Sequence, residues 1–316
     1  MNQRTDRRRI VPTPALLLLL GALALPAAAQ VDFSKVEVKA TPVAGAVSMI
    51  TGLGGNIGVS AGPDGILIVD DQFAELSDRI KAKLDEAAAG GTRIVINTHY
   101  HFDHTSGNAS FSDTATIVAH HTVRDRLAAG REDSDFPQPP APREALPVIT
   151  FQKELLVHWN DELIRVLHRQ SGDDQGSQAH TDGDSIVWFT GSGVAHLGDL
   201  FFAGRFPFVD LDSGGNLDGL KETIKYAIHM LPDDTKLIPG HGPISTMDDL
   251  VLYQRMLNET STWVRRKMGA GLKLEQLLAN GLPDEWNGWG DGFINEEQWI
   301  TMIYESYAPP NAGRTR

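Results

Sequence analysis

The segment that most constrains this chain is residues 98–104, which read THYHFDH and directly follow an apolar run typical of a buried strand. In extended backbone, side chains two positions apart share a face, so His99, His101 and Asp103 should point one way while a turn presents His104 elsewhere. Imidazoles together with a carboxylate are the donor mixture that suits Zn2+ in a hydrolytic site. The spacing therefore favours a site for one or two metal ions over a polar loop whose histidines only form hydrogen bonds.

Composition limits both the architecture and the metal ligands. The chain has 316 residues, of which 41% are hydrophobic, so it is long enough for one large α/β domain or two small ones. One domain is favoured, because the candidate ligands are spread over much of the length. The chain contains no cysteine, so any metal must be held by His, Asp or Glu.

The N-terminus has the pattern of an export signal. A basic region that includes Arg4 and residues 7–9 precedes an apolar core at residues 15–25 and the small-residue cleavage site at residues 27–29. The apolar core is short for a membrane span, although an uncleaved anchor is the alternative. We therefore predict a signal peptide over residues 1–29, a mature domain over residues 30–316, and a periplasmic or secreted protein.

Charge argues against a nucleic-acid partner. The whole chain has a formal charge of −13, and removal of the signal would take away four arginines and one aspartate, making the charge more negative still. No cluster of Lys and Arg remains that could follow a phosphate backbone. No long apolar run remains after the signal either. The expected partner is a small-molecule substrate, and the oligomeric state stays open.

The order of predicted elements is β-rich, then mixed, then helical. Short β-type runs between residues 36 and 70 predict an antiparallel meander, and a helix over residues 74–88 crosses to the strand before the metal segment. A second β-rich half begins at residue 154. Three helices over residues 246–268, 274–279 and 295–307 form a C-terminal extension from about residue 246, with Ser245 as a candidate N-cap.

The H-x-H-x-D-H pattern of His99, His101, Asp103 and His104 resembles the signature of the metallo-β-lactamase superfamily. The resemblance can be traced over residues 47–245. It implies a mixed α/β fold, the four-layer αβ/βα sandwich, with a hydrolytic centre of one or two metal ions. The later pieces that carry it are His180 before a strand, Asp199 within one, and a Pro-Gly-His-Gly turn around His241.

By this resemblance, seven residues form a two-metal site. The first ion would be held by His99, His101 and His180, and the second by Asp103, His104 and His241. Asp199 would bridge the two ions, and Asp103 is also the candidate catalytic residue. Some β-lactamases of the family have a cysteine or a serine at the position of Asp199, so this chain departs from them.

For several polar residues near this pattern the sequence allows two structural roles. Asp70 or Asp71 either supports the metal loop or caps the following helix. The adjacent His120 and His121 are read as a helix start or surface feature rather than ligands. His196, close to Asp199, is read as structural.

Two other segments also stay ambiguous. The proline-rich residues 131–147 should form an extended, exposed loop, either over the rim of the site or as a simple connector. Trp286 and Trp289 either line a substrate groove or, as is commoner, pack the last helices on the domain.

The predicted function is a zinc-dependent hydrolase, with two zinc ions per chain, that uses a metal-bound hydroxide on ester, thioester, lactone or amide bonds. A metallo-β-lactamase that acts on β-lactam antibiotics is one alternative. Another is an iron-dependent oxidoreductase on the same fold. A third is a binding or structural protein that keeps the metal site, and the open coordination positions of a full ligand set speak against it.

Overall fold

The computed structural model describes residues 32–88, 90–131, 137–170 and 178–308. The chain divides into two units, Met1–Ser34 and Lys35–Arg316, and only residues 32–34 of the first are described. A 3₁₀ turn spans Phe33–Lys35. The predicted signal peptide, residues 1–29, lies outside the described residues, and both β-sheets belong to the second unit.

Seven strands form the first sheet, in the order in which they occur along the chain. They are β1 (Lys39–Ala44), β2 (Val47–Thr51), β3 (Ile57–Gly62), β4 (Gly65–Val69), β5 (Thr92–Asn97), β6 (Thr116–His120) and β7 (Ile149–Phe151). The first four pair antiparallel, as the predicted meander requires. From β4 to β7 the pairing is parallel, so each of these connections must cross over the sheet.

The second sheet has five strands in the order β12-β11-β10-β9-β8. They are β8 (Glu154–Trp159), β9 (Glu162–Leu167), β10 (Ile186–Phe189), β11 (Val194–Phe202) and β12 (Lys236–His241). All pairs are antiparallel except β11 with β12, which are parallel and joined by a helical crossover. All nine residues of β11 are buried, as expected for a strand covered on both faces.

The described residues also form eight α-helices and several 3₁₀ turns, of which the last three helices follow the final strand. The helices are α1 (Ser77–Ala87), α2 (Phe102–Thr105), α3 (Asn108–Phe111), α4 (His121–Ala129), α5 (Leu217–Met230), α6 (Met247–Gly269), α7 (Leu274–Asn280) and α8 (Glu296–Tyr307). The 3₁₀ turns after the first are Ala74–Leu76, Arg143–Ala145, Leu211–Ser213, Asp284–Trp286 and Trp289–Asp291. None of the described helices combines the length and apolar composition that a membrane crossing requires.

Two hydrophobic cores show how the layers stack. One lies between the two sheets and includes Leu67 and Ile96 from the first sheet with Val187 and Phe189 from the second. The other lies between the second sheet and α5 to α8, where Trp299 is buried. Helix α1 buries Ile80 and Leu84. The order helix, sheet, sheet, helix confirms the predicted four-layer αβ/βα sandwich.

Some local predictions were wrong. The N-cap of α6 is Thr246 and not Ser245, because Thr246 and Asp249 form a reciprocal capping box. The segment 131–147 is only partly exposed where it is described. Leu146 packs with Tyr100 and Val123, so hydrophobic burial fixes the end of this segment to the domain.

Candidate metal centre

The seven predicted ligands lie at one edge of the two sheets. Strand β5 ends at Asn97, immediately before the THYHFDH segment, while β11 carries Asp199 and β12 ends at His241. His180 lies in the connection that precedes β10. Because β4 to β7 run parallel, as do β11 and β12, the carboxyl ends of strands from both sheets provide the site.

The first group of donors consists of His99, His101 and His180 with Asp199. His101 Nδ1 lies 3.0 Å from His99 Nε2 and 2.9 Å from His180 Nε2, so one nitrogen of each ring points to a common place. The three rings meet nearly edge to face, at interplanar angles of 84° to 89°. This is a convergent set of three imidazoles that a single cation could bind.

The second group consists of Asp103, His104 and His241. His241 Nε2 lies 3.3 Å from Asp103 Oδ2, and His104 Nε2 lies 3.7 Å from the same oxygen. The expectation that His99, His101 and Asp103 share one face was wrong. Helix α2 begins at Phe102, so the backbone is no longer extended at Asp103, and this turn carries its carboxylate to the second group.

Asp199 lies between the two groups and faces each with a different oxygen. Its Oδ2 is 3.5 Å from His180 Nε2 and 3.8 Å from His99 Nε2. Its Oδ1 is 3.1 Å from His104 Nε2 and 3.4 Å from His241 Nε2. This is the arrangement that the predicted bridging role requires, and the role itself stays a prediction.

Burial favours neutral imidazoles in the first group. It lowers the pKa of His99 well below the usual value, and the neighbouring His104 lowers it further. Burial also lowers the pKa of His101, against the opposing effect of its hydrogen bond to Asp210, and that of His180, against the effect of Asp199. A neutral imidazole keeps a nitrogen lone pair, which is the form that binds metal.

Nearby carboxylates dominate the electrostatics of the second group. Burial alone would lower the pKa of His104, but Asp199, Asp103 and Asp70 outweigh it and raise the pKa well above the usual value. For His241 the same competition, mainly with Asp199, raises the pKa to about 9. Burial would raise the pKa of Asp199, yet His241 and His104 hold it well below its usual range. The carboxylates around the second group therefore stabilise positive charge there, whether on the imidazoles or on a bound cation.

Asp70 supports the metal segment. Its Oδ2 accepts hydrogen bonds from His104 Nδ1 and from Thr98 Oγ1, both at 2.7 Å, and its Oδ1 accepts from the Thr98 backbone N–H at 2.7 Å. The helix-cap reading is excluded for Asp70, because the following 3₁₀ turn has Phe73 at its N-cap without a side-chain bond. Asp71 instead accepts from the backbone of Gly107.

Asp210 plays the same part for His101, and the sequence pattern did not identify it. His101 Nε2 donates to Asp210 Oδ2 at 2.9 Å, which leaves Nδ1 facing the other ligands. Burial would raise the pKa of Asp210, but the hydrogen bond from His101 holds it far below its usual range. His180 is oriented in a similar way, since its Nδ1 donates to the Phe208 carbonyl at 2.8 Å. The one sequence signal that could have identified Asp210 is that it is a carboxylate within the otherwise apolar run 206–211.

The loop between β2 and β3 supports the second group by packing against the His104 ring and by bonding to the backbone around His241. A Cβ on Gly55 would overlap the His104 ring, so only glycine allows this close approach. The side chain of Asn56 donates to the carbonyls of Pro239 and Gly242, both at 2.9 Å, on either side of His241. The backbone around His241 is thereby fixed by a residue from the first half of the chain.

The other predicted residues of interest lie outside both groups. His120 is the N-cap residue of α4 and stacks on His168, with ring centroids 3.9 Å apart, and His121 opens the helix. His196 bonds to the carbonyl of Asn56 and has a structural role. Trp286 is buried in the helical core, in contact with Trp289, which agrees with packing rather than a substrate groove.

The described residues fit metal ions. His104 Nε2 and Asp199 Oδ1 are buried without a hydrogen-bond partner, although they lie 3.1 Å apart. A buried polar atom left without a partner costs about 1–3 kcal/mol, and a cation bound between such atoms would remove that cost. Within each group the donor atoms lie within 4.8 Å of one another. Nitrogen and carboxylate oxygen donors are those that zinc accepts.

Comparisons with known proteins agree with this geometry. The family model described as the metallo-beta-lactamase superfamily matches residues 51–241, which contain all seven candidate ligands. A protein of Aquifex aeolicus (strain VF5) whose function is uncharacterised is 26% identical over 188 residues, which are 58% of this chain and 82% of that protein.

Solved structures share the fold at low sequence identity. A metallo-beta-lactamase from Pontibacter korlensis has a TM-score of 0.57 at 15% identity, covering 70% of this chain and 99% of its own. The DIM-1 metallo-beta-lactamase has a TM-score of 0.55 at 17% identity, covering 71% and 99%. A double mutant of the sec-alkyl sulfatase PisA1 has a TM-score of 0.64 at 14% identity, covering 88% of this chain but 51% of that protein.

Proposed function

The chain belongs to the metallo-β-lactamase superfamily, and from this premise we propose that it is a zinc-dependent hydrolase of ester, thioester, lactone or amide bonds. The position of Asp199 carries the proposal, because its two oxygens face two separate groups of donors. Seven donors exceed what one tetrahedral zinc ion uses, so we propose two ions per chain.

In the proposed mechanism, His99, His101 and His180 hold one ion, and Asp103, His104 and His241 hold the other, with Asp199 between them. When bound, the two ions would polarise the bond to be cleaved and lower the pKa of an attacking water to about 7. The chain contributes rigid imidazoles in the first group, each with its second nitrogen engaged by a partner. These contacts fix which nitrogen faces the site.

Asp103 is the proposed proton carrier. Its side chain is 19% exposed, and its Oδ2 lies 3.3 Å from His241 Nε2, at the open side of the site. A carboxylate there can take a proton from the attacking water and return it to the leaving group. The chain has no cysteine, and a solvent-derived nucleophile needs no covalent enzyme intermediate.

The proposed function is tested by assaying zinc-loaded protein against a chromogenic β-lactam, a lactone, a thioester, a phosphodiester and an alkyl sulfate. We expect hydrolysis of at least one lactone, thioester or β-lactam, with loss on chelation and recovery on addition of zinc. Asp103→Asn is the matched variant and should lower turnover while the fold is kept. Activity that survives complete metal removal, or a substrate-derived adduct on a Ser or Thr, contradicts the proposal.

The same panel separates the related functions. The β-lactam arm tests the activity named for two of the structural neighbours, and the sulfate arm tests that of the sulfatase. Metal analysis of the protein as purified tests the iron-dependent alternative, since iron with an optical spectrum would favour redox chemistry over hydrolysis.

We also propose that the chain is exported with cleavage near Ala29 and acts on a small molecule in the periplasm or outside the cell. The basic, apolar and small-residue order of residues 1–29 supports this. Mass spectrometry of the periplasmic protein should find a start near Gln30. A mature form that retains the apolar core would contradict the proposal.

A further inference from the structure

Behind the first ligand group, on the far side of His101, lies a cluster of polar side chains around Asp210. Arg131 Nη1 lies 2.9 Å and 3.0 Å from the two oxygens of Asp210 and 2.7 Å from Ser213 Oγ. Tyr100 donates its O–H to Asp210 Oδ2 at 2.7 Å. Asp210 Oδ2 therefore accepts from Arg131, from Tyr100 and from the proposed ligand His101.

From these contacts we propose that Arg131 is a positioning residue for the metal centre, which orients His101 by holding the Asp210 carboxylate in place. The inference rests on the proposed role of His101 as a metal ligand. Arg131 lies beyond the H-x-H-x-D-H segment and follows α4 by two positions. No pattern in the sequence links it to the site.

Charge explains why an arginine is needed. Asp210 is 3% exposed, and a buried carboxylate requires compensation. Its other hydrogen-bond donors are the hydroxyl of Tyr100, the backbone of Ser213 and the ring of His101. Among the described residues, Arg131 is the one permanent cation in hydrogen-bond contact with Asp210.

Geometry explains why the effect reaches the metal. Arg131 Nη1 contacts both oxygens of Asp210, and so restrains the orientation of the carboxylate as well as its position. This orientation aims Oδ2 at His101 Nε2, so the proton sits on Nε2 and the Nδ1 lone pair faces His99 and His180. Loss of the guanidinium would free the carboxylate to rotate and the His101 ring to change tautomer.

Arg131 is itself held by the domain. Its backbone N–H and C=O pair with those of Gln138 at 2.6 Å and 2.7 Å. The Gln138 side chain donates to the Tyr100 carbonyl at 3.1 Å, next to His101. The guanidinium therefore meets Asp210 from a backbone that is hydrogen-bonded to Gln138.

A nearby arginine provides the matched control. Arg126 in α4 donates two hydrogen bonds to Asp182, both at 2.6 Å, and lies over the Tyr100 ring. This ion pair lies close to the Asp210 cluster, and its two side chains are 28% and 27% exposed. Neither of its members is hydrogen-bonded to a candidate ligand, so its loss should report only general effects on stability.

The experiment compares wild type with Arg131→Met, Arg131→Lys and Arg126→Met in the full-length protein. Long-range 1H–15N spectra of metal-free protein report the His101 tautomer, and Co2+ titrations report the affinity of each site. We expect the Nε2–H tautomer in wild type and in R126M, and mixed tautomers in R131M. First-site affinity should fall about 10- to 100-fold in R131M and stay within about twofold in R126M. The second site should change little.

The lysine variant keeps the proposal testable if the methionine variant does not fold. The contact with Asp210 uses one nitrogen, Nη1, which a lysine ammonium can replace, so R131K should fold normally and recover most of the affinity. An unchanged tautomer and affinity in R131M, or equal losses in R131M and R126M, would overturn the proposal. So would an affinity in R131K as low as in R131M. Neither readout uses a substrate, so failure of the hydrolase proposal would be seen separately.

Discussion

The two ligand groups of the centre are built in different ways. In the first group each imidazole is held through its second nitrogen, by Thr98 for His99, by Asp210 for His101 and by the Phe208 carbonyl for His180. In the second group His104 is also held through its second nitrogen, by Asp70, but here Gly55 packs against the ring and the Asn56 side chain fixes the backbone around His241.

Exposure differs in the same direction. In the first group His99 and His180 are fully buried and His101 is 15% exposed; in the second, His104 is fully buried, while the side chains of Asp103 and His241 are 19% and 24% exposed. The more exposed group is also the one that contains a carboxylate of its own. From this comparison we expect the first group to be the more rigid site, and we propose that substrate approaches over the second. The first site should therefore bind zinc more tightly.

The largest expected effect comes from removing the residue that the two groups share. Asp199→Ala should lower turnover roughly a thousandfold, because the charge of the second site falls and the two sites lose their common ligand. Zinc affinity at the second site should fall more than at the first, and thermal unfolding should show that the fold is kept. Full activity in this variant at low zinc would show that the bridge assignment is wrong.

A smaller and more selective effect is expected at Gly55. In Gly55→Ala the new methyl group meets the His104 ring, which cannot move away because Asp70 holds its Nδ1 at 2.7 Å. Second-site affinity should fall about 10- to 100-fold with the first site unchanged. Gly269→Ala is the control, because a Cβ there meets no atom within 4 Å. Equal weakening of both sites in Gly55→Ala would remove the distinction between the groups.

The smallest expected effect is on the pH dependence of stability and comes from His120, a buried histidine outside the metal centre. Burial, with the neighbouring His168 and His121, lowers the pKa of His120 to about 3. The unfolded chain, with a pKa of about 6.5, binds this proton more readily. The free energy of unfolding therefore keeps the full contribution of His120 above pH 6.5. It loses this contribution progressively as the pH falls toward 3, because the unfolded chain takes up the proton first. Between pH 7 and pH 5 the loss should be about 2 kcal/mol.

Urea unfolding of metal-free protein measures this term. The free energy of unfolding of wild type should fall by about 2 kcal/mol more than that of His120→Gln between pH 7 and pH 5. Both proteins contain the histidines of the centre, so the pH dependence that these histidines cause cancels in the difference. Parallel pH profiles would show that His120 is readily protonated in the folded chain.

The sequence predicted which side chains converge better than it predicted which residues support them. Local spacing pointed to the four candidate ligands of the THYHFDH segment, and the resemblance supplied His180, Asp199 and His241. Supporting contacts join positions far apart in the chain: Asp210 is 109 residues from His101, and Asn56 is 183 residues from Pro239. Such contacts depend on how the two sheets stack, and a local pattern does not reveal that.

Local errors had local causes. The alternation argument failed at Asp103 because four residues, Phe102–Thr105, form a helical turn directly after the strand. At the start of α6, Ser245 and Thr246 are both good N-cap residues. Only the contact of Thr246 with Asp249 decides between them.

The most direct test of the two-group account is anomalous diffraction at the zinc edge from crystals of zinc-loaded protein. The account predicts two peaks per chain. One should lie among His99 Nε2, His101 Nδ1 and His180 Nε2, and the other among Asp103, His104 and His241, with Asp199 between them. A single peak, or zinc bound at other histidines such as His120 and His168 with none in the two groups, would contradict it.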